Sequence, residues 1–164
     1  MPETISDTGP VLHLHEIGRL DTLVTVEPLV LPVGVWEELQ HRSLDRRTFE
    51  QAGLLFTVST RGRDLLPSAE MLRLQPADHE VFLLAQEGHF ESLVLTDDLA
   101  LRRLLEDRGS TVAGSVGILV RAYAAGRLSR EGLEHCIEAL LEESSLHLSR
   151  AFRSYVRKLV VDLP

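Results

Sequence analysis

The stretch Thr4-Ile5-Ser6-Asp7-Thr8-Gly9-Pro10 decides the fold, because a short strand-like run ends there in an acid and a turn. Residues with helical spacing follow at 11–17. A short buried strand that leads into a helix is the unit from which parallel sheets are built, since parallel strands need a long crossover connection. The segment therefore predicts an α/β protein with Asp7 at the exit of its first strand.

The same alternation continues along the chain. Four more apolar runs bounded by turn residues predict strands at 29–31, 54–58, 93–95 and 111–113. Helical spacing recurs at 33–39, 79–86, 99–106 and 116–124, and two further amphipathic helices are predicted at 129–143 and 148–160. Strands that alternate with helices favour a central parallel sheet covered by helices on both faces.

Length and composition limit the class of protein. The chain has 164 residues, which is the size of one domain. Its 25 acidic residues against 17 basic ones give a formal net charge of -8, which argues against a basic protein that coats nucleic acid. We expect a single domain over residues 1–164, with a core over about 3–126 and a helical extension over about 127–164.

Cysteine content and the amino-terminal sequence point to the cytoplasm. Cys136 is the single cysteine, so neither a disulfide framework nor a cysteine-based zinc site is possible. The first residues carry no cationic segment followed by an apolar run, and no stretch approaches the ~20 apolar residues that cross a bilayer. We therefore expect a cytoplasmic protein without a membrane partner.

Acidic residues cluster where the predicted strands end. They are Asp7 after the first strand, Glu37 and Glu38 after the second, Asp78 at the start of a later helix, and Asp97 and Asp98 after the fourth strand. Ligands of open α/β sheets bind at the carboxyl ends of the strands. These acids are therefore expected to meet on one rim of the sheet.

Each acid alone has an ordinary explanation as a helix cap, a first-turn acid or a solvated side chain. As a cluster, the acids need a further explanation, because two carboxylates ~4 Å apart repel by about 4 kcal/mol at an effective dielectric constant of 20. A bound cation removes that repulsion. Oxygen ligands without His or Cys select Mg²⁺ or Mn²⁺, and the implied reaction is metal-assisted hydrolysis of a phosphodiester.

Four motifs, in this order along the chain, resemble those of the PIN-domain family. They are Ile5-Ser6-Asp7-Thr8-Gly9-Pro10, Val35-Trp36-Glu37-Glu38-Leu39, Leu95-Thr96-Asp97-Asp98 and Ala113-Gly114-Ser115-Val116-Gly117-Ile118-Leu119. The chain is most similar to a PIN-like subfamily of prokaryotic predicted nucleases that resemble VapC toxins. The resemblance runs from about Thr4 into the tail helices. It implies a PIN-like, Rossmann-like three-layer α/β/α sandwich with extra C-terminal helices.

The resemblance also implies a four-acid site. The family's catalytic and metal-binding acids fall on Asp7, Glu38, Asp78 and Asp98, with Asp97 as an accessory metal ligand and Glu37 as the alternative to Glu38. Supporting hydroxyls, expected to hold these carboxylates or bound water, fall on Ser6, Thr8 and Thr96. One position departs from the pattern, because related members often have Gly-Glu where this chain has Ala77-Asp78.

The implied activity is that of an Mg²⁺- or Mn²⁺-dependent endoribonuclease acting on single-stranded or structured RNA. Family members commonly form homodimers, and those that are toxins are inhibited by an antitoxin protein that covers the acidic groove. The alternative from another class is a PIN-like module that binds RNA or a protein without cutting. The sequence leaves both functions open.

Two other enzyme classes fit less well. Gly114-Ser115-Val116-Gly117 resembles a nucleophile elbow, but the position two residues before the serine is Ala113 instead of glycine. Aspartyl-phosphate chemistry calls for a lysine in the site, and the single lysine, Lys158, lies in the last predicted helix. The histidines have no partner at helical spacing that would favour a zinc site.

RNA binding requires positive charge near the acids, because phosphate contacts are largely electrostatic. Arg102 and Arg103 follow Asp98 by about one helical turn and are the first candidates, although either can equally be a solvated side chain. If the six rim acids bind metal, 19 acids and 17 bases remain in the rest of the chain. The net charge of -8 is then compatible with an RNA partner.

Overall fold

A single parallel sheet forms the centre of the fold. The computed structural model describes residues 3–63 and 73–164, and within them five strands occur: β1 (Thr4–Ser6), β2 (Leu29–Pro32), β3 (Phe56–Ser59), β4 (Leu93–Leu95) and β5 (Thr111–Ala113). Their order in the sheet is β3-β2-β1-β4-β5, and every neighbouring pair is parallel. The predicted α/β fold with a central parallel sheet is confirmed.

Helices connect and cover the strands. They are α1 (Thr8–Glu16), α2 (Val33–His41), α3 (Arg46–Gln51), α4 (Pro76–Glu87), α5 (Leu99–Glu106), α6 (Ser115–Ala124), α7 (Arg130–Glu142) and α8 (Arg150–Asp162). Helix α1 begins at Thr8, earlier than predicted, because Asp7 caps its first turn. The sequence pattern missed α3 and a 3₁₀ helix at Leu20–Val26, since both are too short to show a clear period.

The strand register brings the candidate site to one edge. Ser6 of β1 lies opposite Leu95 of β4, which in turn lies opposite Ala113 of β5. Asp7 and Thr96, the residues that follow two of these positions, therefore leave the sheet side by side. From β1 the chain runs towards β2 and β3, and from β4 it runs the other way to β5, so the order reverses between β1 and β4. Open α/β sheets bind ligands at such a reversal.

The apolar core includes the tail helices. One cluster of buried side chains extends from Ile5 of β1 to Leu140 of α7 and Val156 of α8. Burial of each such side chain stabilises the fold by roughly 1.5–3 kcal/mol. Helices α7 and α8 are therefore packed as parts of the same core as the sheet.

An aromatic cluster fixes the position of α2. Trp36 on α2 packs against Phe49 of α3 and Phe56 of β3, with ring centroids 5.6 and 5.3 Å from its own. Because these rings hold Trp36 in place, the orientation of the helix that carries Glu37 and Glu38 is fixed.

Among the helices of the described residues, none is both long enough and apolar enough to span a bilayer.

Candidate active site

Asp7 lies at the carboxyl end of β1 and is almost completely buried. Its Oδ1 accepts a hydrogen bond from the Thr8 backbone N–H at 2.6 Å, and its Oδ2 accepts one from the Thr96 hydroxyl at 2.8 Å. Burial, together with the negative charges of Asp78 and Glu38, raises the pKa of Asp7 to about 7, although the two hydrogen bonds oppose the shift. The Asp7 carboxyl thus gives up its proton with difficulty unless a positive charge lies nearby.

Asp78 lies in the first turn of α4 and is also buried. Its carboxylate accepts a hydrogen bond from the Gln75 backbone N–H at 3.3 Å, as part of a capping box. Burial and the negative charges of Asp98 and Glu38 raise the pKa of Asp78 to about 6. The two most buried acids of the site are therefore both destabilised in their charged forms.

Glu38 and Asp98 complete the group and are held by hydroxyls. The Thr8 hydroxyl donates to Glu38 Oε2 at 2.5 Å. The Asp98 backbone N–H donates to the Thr96 hydroxyl oxygen at 3.0 Å, and Asp98 Oδ1 caps α5 by accepting from the Leu101 N–H at 2.8 Å. Thr8 thus contacts Asp7 and Glu38, and Thr96 contacts Asp7 and Asp98. Their role as supporting hydroxyls of a catalytic site stays a prediction.

The four predicted catalytic acids come from separate elements and interact through their charges. The negative charges of Asp78 and Glu38 raise the pKa of Asp7. Those of Asp98 and Glu38 raise the pKa of Asp78. Within residues 3–63 and 73–164, however, no three His, Cys, Asp or Glu side chains already stand where they would coordinate one ion. A cation bound by three of these carboxylates would therefore require some of them to move closer together.

Glu37 faces away from this group. Its two carboxylate oxygens accept hydrogen bonds from the Arg63 guanidinium at 3.1 and 2.8 Å, and these hydrogen bonds, together with the Arg63 charge, hold the pKa of Glu37 below its usual range. The negative charge of Glu38, in contrast, contributes to the raised pKa of Asp7 and of Asp78. Of the two adjacent glutamates, the structure brings Glu38 to the acidic site.

The Asp97 carboxylate is engaged elsewhere. Oδ1 accepts a hydrogen bond from the Ser115 backbone N–H at 2.7 Å, while Oδ2 accepts one from the Ser115 hydroxyl at 2.5 Å and lies 2.7 Å from His13 Nδ1. These contacts join β4 to the start of α6 and to α1. The expected role as an accessory metal ligand stays a prediction, and Asp97 has a structural role that the sequence did not suggest.

Three further predicted residues, Ser6, Arg102 and Arg103, differ in what they contact. The Ser6 hydroxyl donates to the Asp7 backbone carbonyl at 2.9 Å, and its expected role in holding a carboxylate or a bound water stays a prediction. Arg102 donates to the Thr96 and Val112 carbonyls at 3.2 and 3.3 Å and lies 3.3 Å from the Glu106 carboxylate. Arg103 lies in the last turn of α5 and is exposed. Of the two arginines, Arg102 is thus fixed beside the acidic site through its contact with Thr96.

Glu80 belongs to the support of the site, and sequence reasoning gave it no role. This buried residue of α4 accepts hydrogen bonds from the Gly34 backbone N–H at 2.8 Å and from Arg63 Nε at 3.2 Å. Arg63 in turn binds Glu37, so the contacts join α2, which carries Glu38, to α4, which carries Asp78. The feature of the sequence that could have indicated this contact is Gly34 at the start of α2, because a side chain at that position would crowd Glu80.

Comparisons with known proteins bear on the family and the fold, which they show to be PIN-like. A family model described as PIN domain matches residues 3–161. A solved structure of a PilT N-terminus domain protein from the hyperthermophilic archaeon Sulfolobus solfataricus P2 has 11% sequence identity and a TM-score of 0.50, over 89% of this chain and 99% of that one. At this identity the likeness shows the fold alone. No curated protein is significantly similar to the chain in sequence.

Proposed function

The chain belongs to the PIN-domain family, whose members are generally nucleases, and we propose that it is an Mg²⁺- or Mn²⁺-dependent endoribonuclease. Asp7, Glu38, Asp78 and Asp98 are its proposed catalytic and metal-binding acids. The substrate is RNA, and the reaction is hydrolysis of a phosphodiester bond.

One observation carries this proposal: two carboxylates from different elements, Asp7 and Asp78, are buried, and burial together with the negative charges of neighbouring acids raises the pKa of both. Asp7 and Asp78 have pKa values of about 7 and about 6, against an ordinary value of 3.8. Burial of two carboxylates close to other negative charges lowers the stability of the fold, so the arrangement is best explained by a function. A cation among these acids would turn the repulsion into attraction.

The residues present fit a hard divalent cation. The donors are carboxylate oxygens, which Mg²⁺ and Mn²⁺ prefer, and the Thr8 and Thr96 hydroxyls orient them from behind. When bound, such an ion lowers the pKa of a water molecule and offsets negative charge on the phosphate. The protein's own part is to hold the carboxylates at one edge of the sheet, where Asp7 follows β1 and Asp98 follows β4.

A cleavage assay with matched variants tests the proposal. Purified protein is incubated with mixed single-stranded RNA in Mg²⁺, in Mn²⁺ or in EDTA, beside Asp7→Asn and Asp107→Asn. Asp107 is an exposed acid at the far end of α5 and makes a control of equal charge change. We expect metal-dependent cleavage that falls by about 10²-fold or more in Asp7→Asn and is unchanged in Asp107→Asn.

Two results would contradict the enzyme. Equal cleavage by the wild type and Asp7→Asn would point to a contaminating nuclease. RNA binding without cleavage in either metal would favour the non-cleaving binding module. The variants are prepared in the same way, so that any contaminant is common to all of them.

We further propose that the chain acts as a toxin of the VapC type, that it forms a homodimer and that a partner antitoxin inhibits it. This proposal comes from the motif resemblance. Induced expression is expected to arrest growth for the wild type and not for Asp7→Asn. Sedimentation of the purified chain tests the dimer, and co-expression with the product of a neighbouring gene tests the antitoxin.

A further inference from the structure

A cavity of about 620 Å³ lies beside the acidic site and plays no part in the function proposed above. Its walls are the start of α5, the strand β5, the start of α6 and the helix α8. Most of the lining side chains are apolar, and Arg102 is the arginine among them. A volume of roughly 300–1,000 Å³ with an apolar lining and a few fixed polar groups is typical of a site for a small organic group.

Contacts connect this cavity directly to the candidate metal ligands. The Arg102 guanidinium donates to the Thr96 carbonyl at 3.2 Å, and the Thr96 hydroxyl donates to Asp7 Oδ2 at 2.8 Å. Asp97 lines the cavity, and the next residue, Asp98, belongs to the acidic group. A ligand that extends past the acids along this edge of the sheet would therefore enter the cavity.

Exposed aromatic side chains form the outer wall. Phe152 and Tyr155 on α8 are 43% and 58% exposed, and their ring centroids are 5.8 Å apart. Leu99, at the start of α5, lines the same cavity and is 55% exposed. An aromatic pair left open to solvent next to an arginine has the chemistry that binds unpaired bases, which stack on aromatic rings and on guanidinium planes.

Asp97 and Arg102, two charged side chains of the cavity, are already held by other groups, and this favours a neutral planar ligand over a charged peptide. Asp97 is engaged by Ser115 and His13, and Arg102 is held by the Val112 carbonyl and by Glu106. Such preorganised walls bind with little loss of side-chain entropy. A nucleobase gains contact area from the aromatic rings, and the phosphate attached to it finds positive charge at Arg102.

We propose that this cavity binds a nucleobase of the RNA strand whose phosphodiester lies at the acidic site, an inference that rests on the proposed ribonuclease function. Phe152 and Tyr155 stack on the base, and Arg102 contacts the base or its phosphate. The cavity thereby selects single-stranded over paired RNA, because a base must leave its stack to enter. It also gives the cleavage a preference at one position next to the cut.

A binding experiment without metal tests the cavity separately from the chemistry. A labelled short single-stranded RNA and the same strand with its bases removed are titrated with protein in EDTA, and fluorescence anisotropy gives each Kd. The wild type is expected to bind the complete strand about tenfold more tightly than the abasic one. Tyr155→Ala loses most of that difference, whereas Tyr155→Phe keeps it. Val161→Ala, at a 71% exposed site of the same helix, is the control and leaves both Kd values unchanged.

Cleavage in Mg²⁺ or Mn²⁺ is measured in parallel, so that the two proposals can fail separately. If the wild type cleaves RNA and Tyr155→Ala keeps the same affinity and the same base preference, the cavity assignment is overturned and the ribonuclease stands. If no metal supports cleavage, yet base-dependent binding is lost in Tyr155→Ala, the ribonuclease fails and the cavity assignment holds.

The other occupant to consider is a second copy of this chain. If Phe152→Ala or Tyr155→Ala converts a dimer into a monomer in sedimentation while RNA binding is unchanged, this surface joins two subunits and the inference is overturned. Both side chains are largely exposed, so these variants are expected to keep the wild-type circular dichroism spectrum and melting temperature.

Discussion

The Thr96 hydroxyl shows how one buried side chain organises the acidic site. It donates to Asp7 Oδ2 and accepts from the Asp98 backbone N–H, so it joins the acids that follow β1 and β4. Asp7 and Asp98 are also helix N-caps, through their Oδ1 atoms. The ordinary interpretation as helix caps therefore holds for both acids, and in Asp7 the second carboxylate oxygen is bound by Thr96. Their catalytic role stays a proposal.

The raised pKa values make two predictions about stability and pH. The metal-free protein loses stability as pH rises, and the stabilisation by a bound metal grows as pH rises. Asp7 has a pKa of about 7 in the folded protein and an ordinary value of 3.8, so the folded state binds the proton more tightly than the unfolded state. The stability of the metal-free protein therefore falls as pH rises between these two values. A divalent ion binds the deprotonated carboxylates, so its stabilising effect grows over the same range.

We expect a fixed metal concentration, ten times the Kd at pH 8, to raise the melting temperature by roughly 3–6 °C at about pH 8, and by much less near pH 5, where protons compete with the metal. Thermal melts with Mn²⁺ or EDTA at both pH values measure this difference. In Asp7→Asn the fall in metal-free stability between the two pH values should become smaller, while Asp107→Asn should retain it. A metal effect that is equal at both pH values would contradict the assignment of these acids.

At the level of the elements, the site depends on how α2 and α4 are joined. Glu80 on α4 binds the Gly34 backbone N–H of α2, and Arg63 bridges Glu80 and Glu37. These contacts set the distance between the helices that carry Glu38 and Asp78. A change at the junction is therefore expected to alter activity without touching a catalytic acid.

Gly34→Ala tests that junction. A Cβ at Gly34 would lie 3.0 Å from Glu80 Oε1 and 3.2 Å from its Cδ, so the buried carboxylate would have to move. We expect destabilisation by about 1–3 kcal/mol, measured by urea unfolding, together with reduced metal-dependent cleavage.

Gly117→Ala is the matched control on α6. A Cβ there meets only the Ala113 side chain, at an ordinary 3.5 Å, and alanine favours a helix over glycine by roughly 0.5–1 kcal/mol. This variant should be at least as stable as the wild type. If Gly34→Ala proved as stable and as active as Gly117→Ala, the proposed coupling of the two helices would be wrong.

At the level of the whole molecule, the tail helices complete the core. Ile118, Leu119 and Ala122 of α6 are fully buried, and α7 packs on α6 with Leu133 and Leu140 in the same core. We propose that residues 1–164 fold as one unit, in which the extension at about 127–164 covers the core at about 3–126.

Truncation after Gly126 tests this proposal. The shortened chain exposes the buried face of α6 and is expected to aggregate or to unfold without a cooperative transition, as measured by gel filtration and circular dichroism. Removal of α8 alone, by a stop after Leu148, removes fewer buried side chains and should lower the melting temperature to a smaller extent. A fragment 1–126 that melts like the full chain would show that the extension is an independent addition.

Local sequence determined the elements of this protein and the pool of candidate acids. Short apolar runs and helical spacing are local signals, so the strands and most helices were predicted close to their observed positions. The acids that follow strand ends were visible for the same reason. The strand order β3-β2-β1-β4-β5 was not visible in the sequence, because it depends on which strands pair across the sheet.

Only the tertiary structure decided which member of each acidic pair faces the site. Glu37 and Glu38 are neighbours on a helix and point about 100° apart, so one of them has to face away. Arg63, which is distant in sequence, binds Glu37, while Ser115 and His13 bind Asp97. A residue's type and spacing follow from the sequence alone, but the partner that holds its side chain comes from another part of the chain, and folding alone brings the two together.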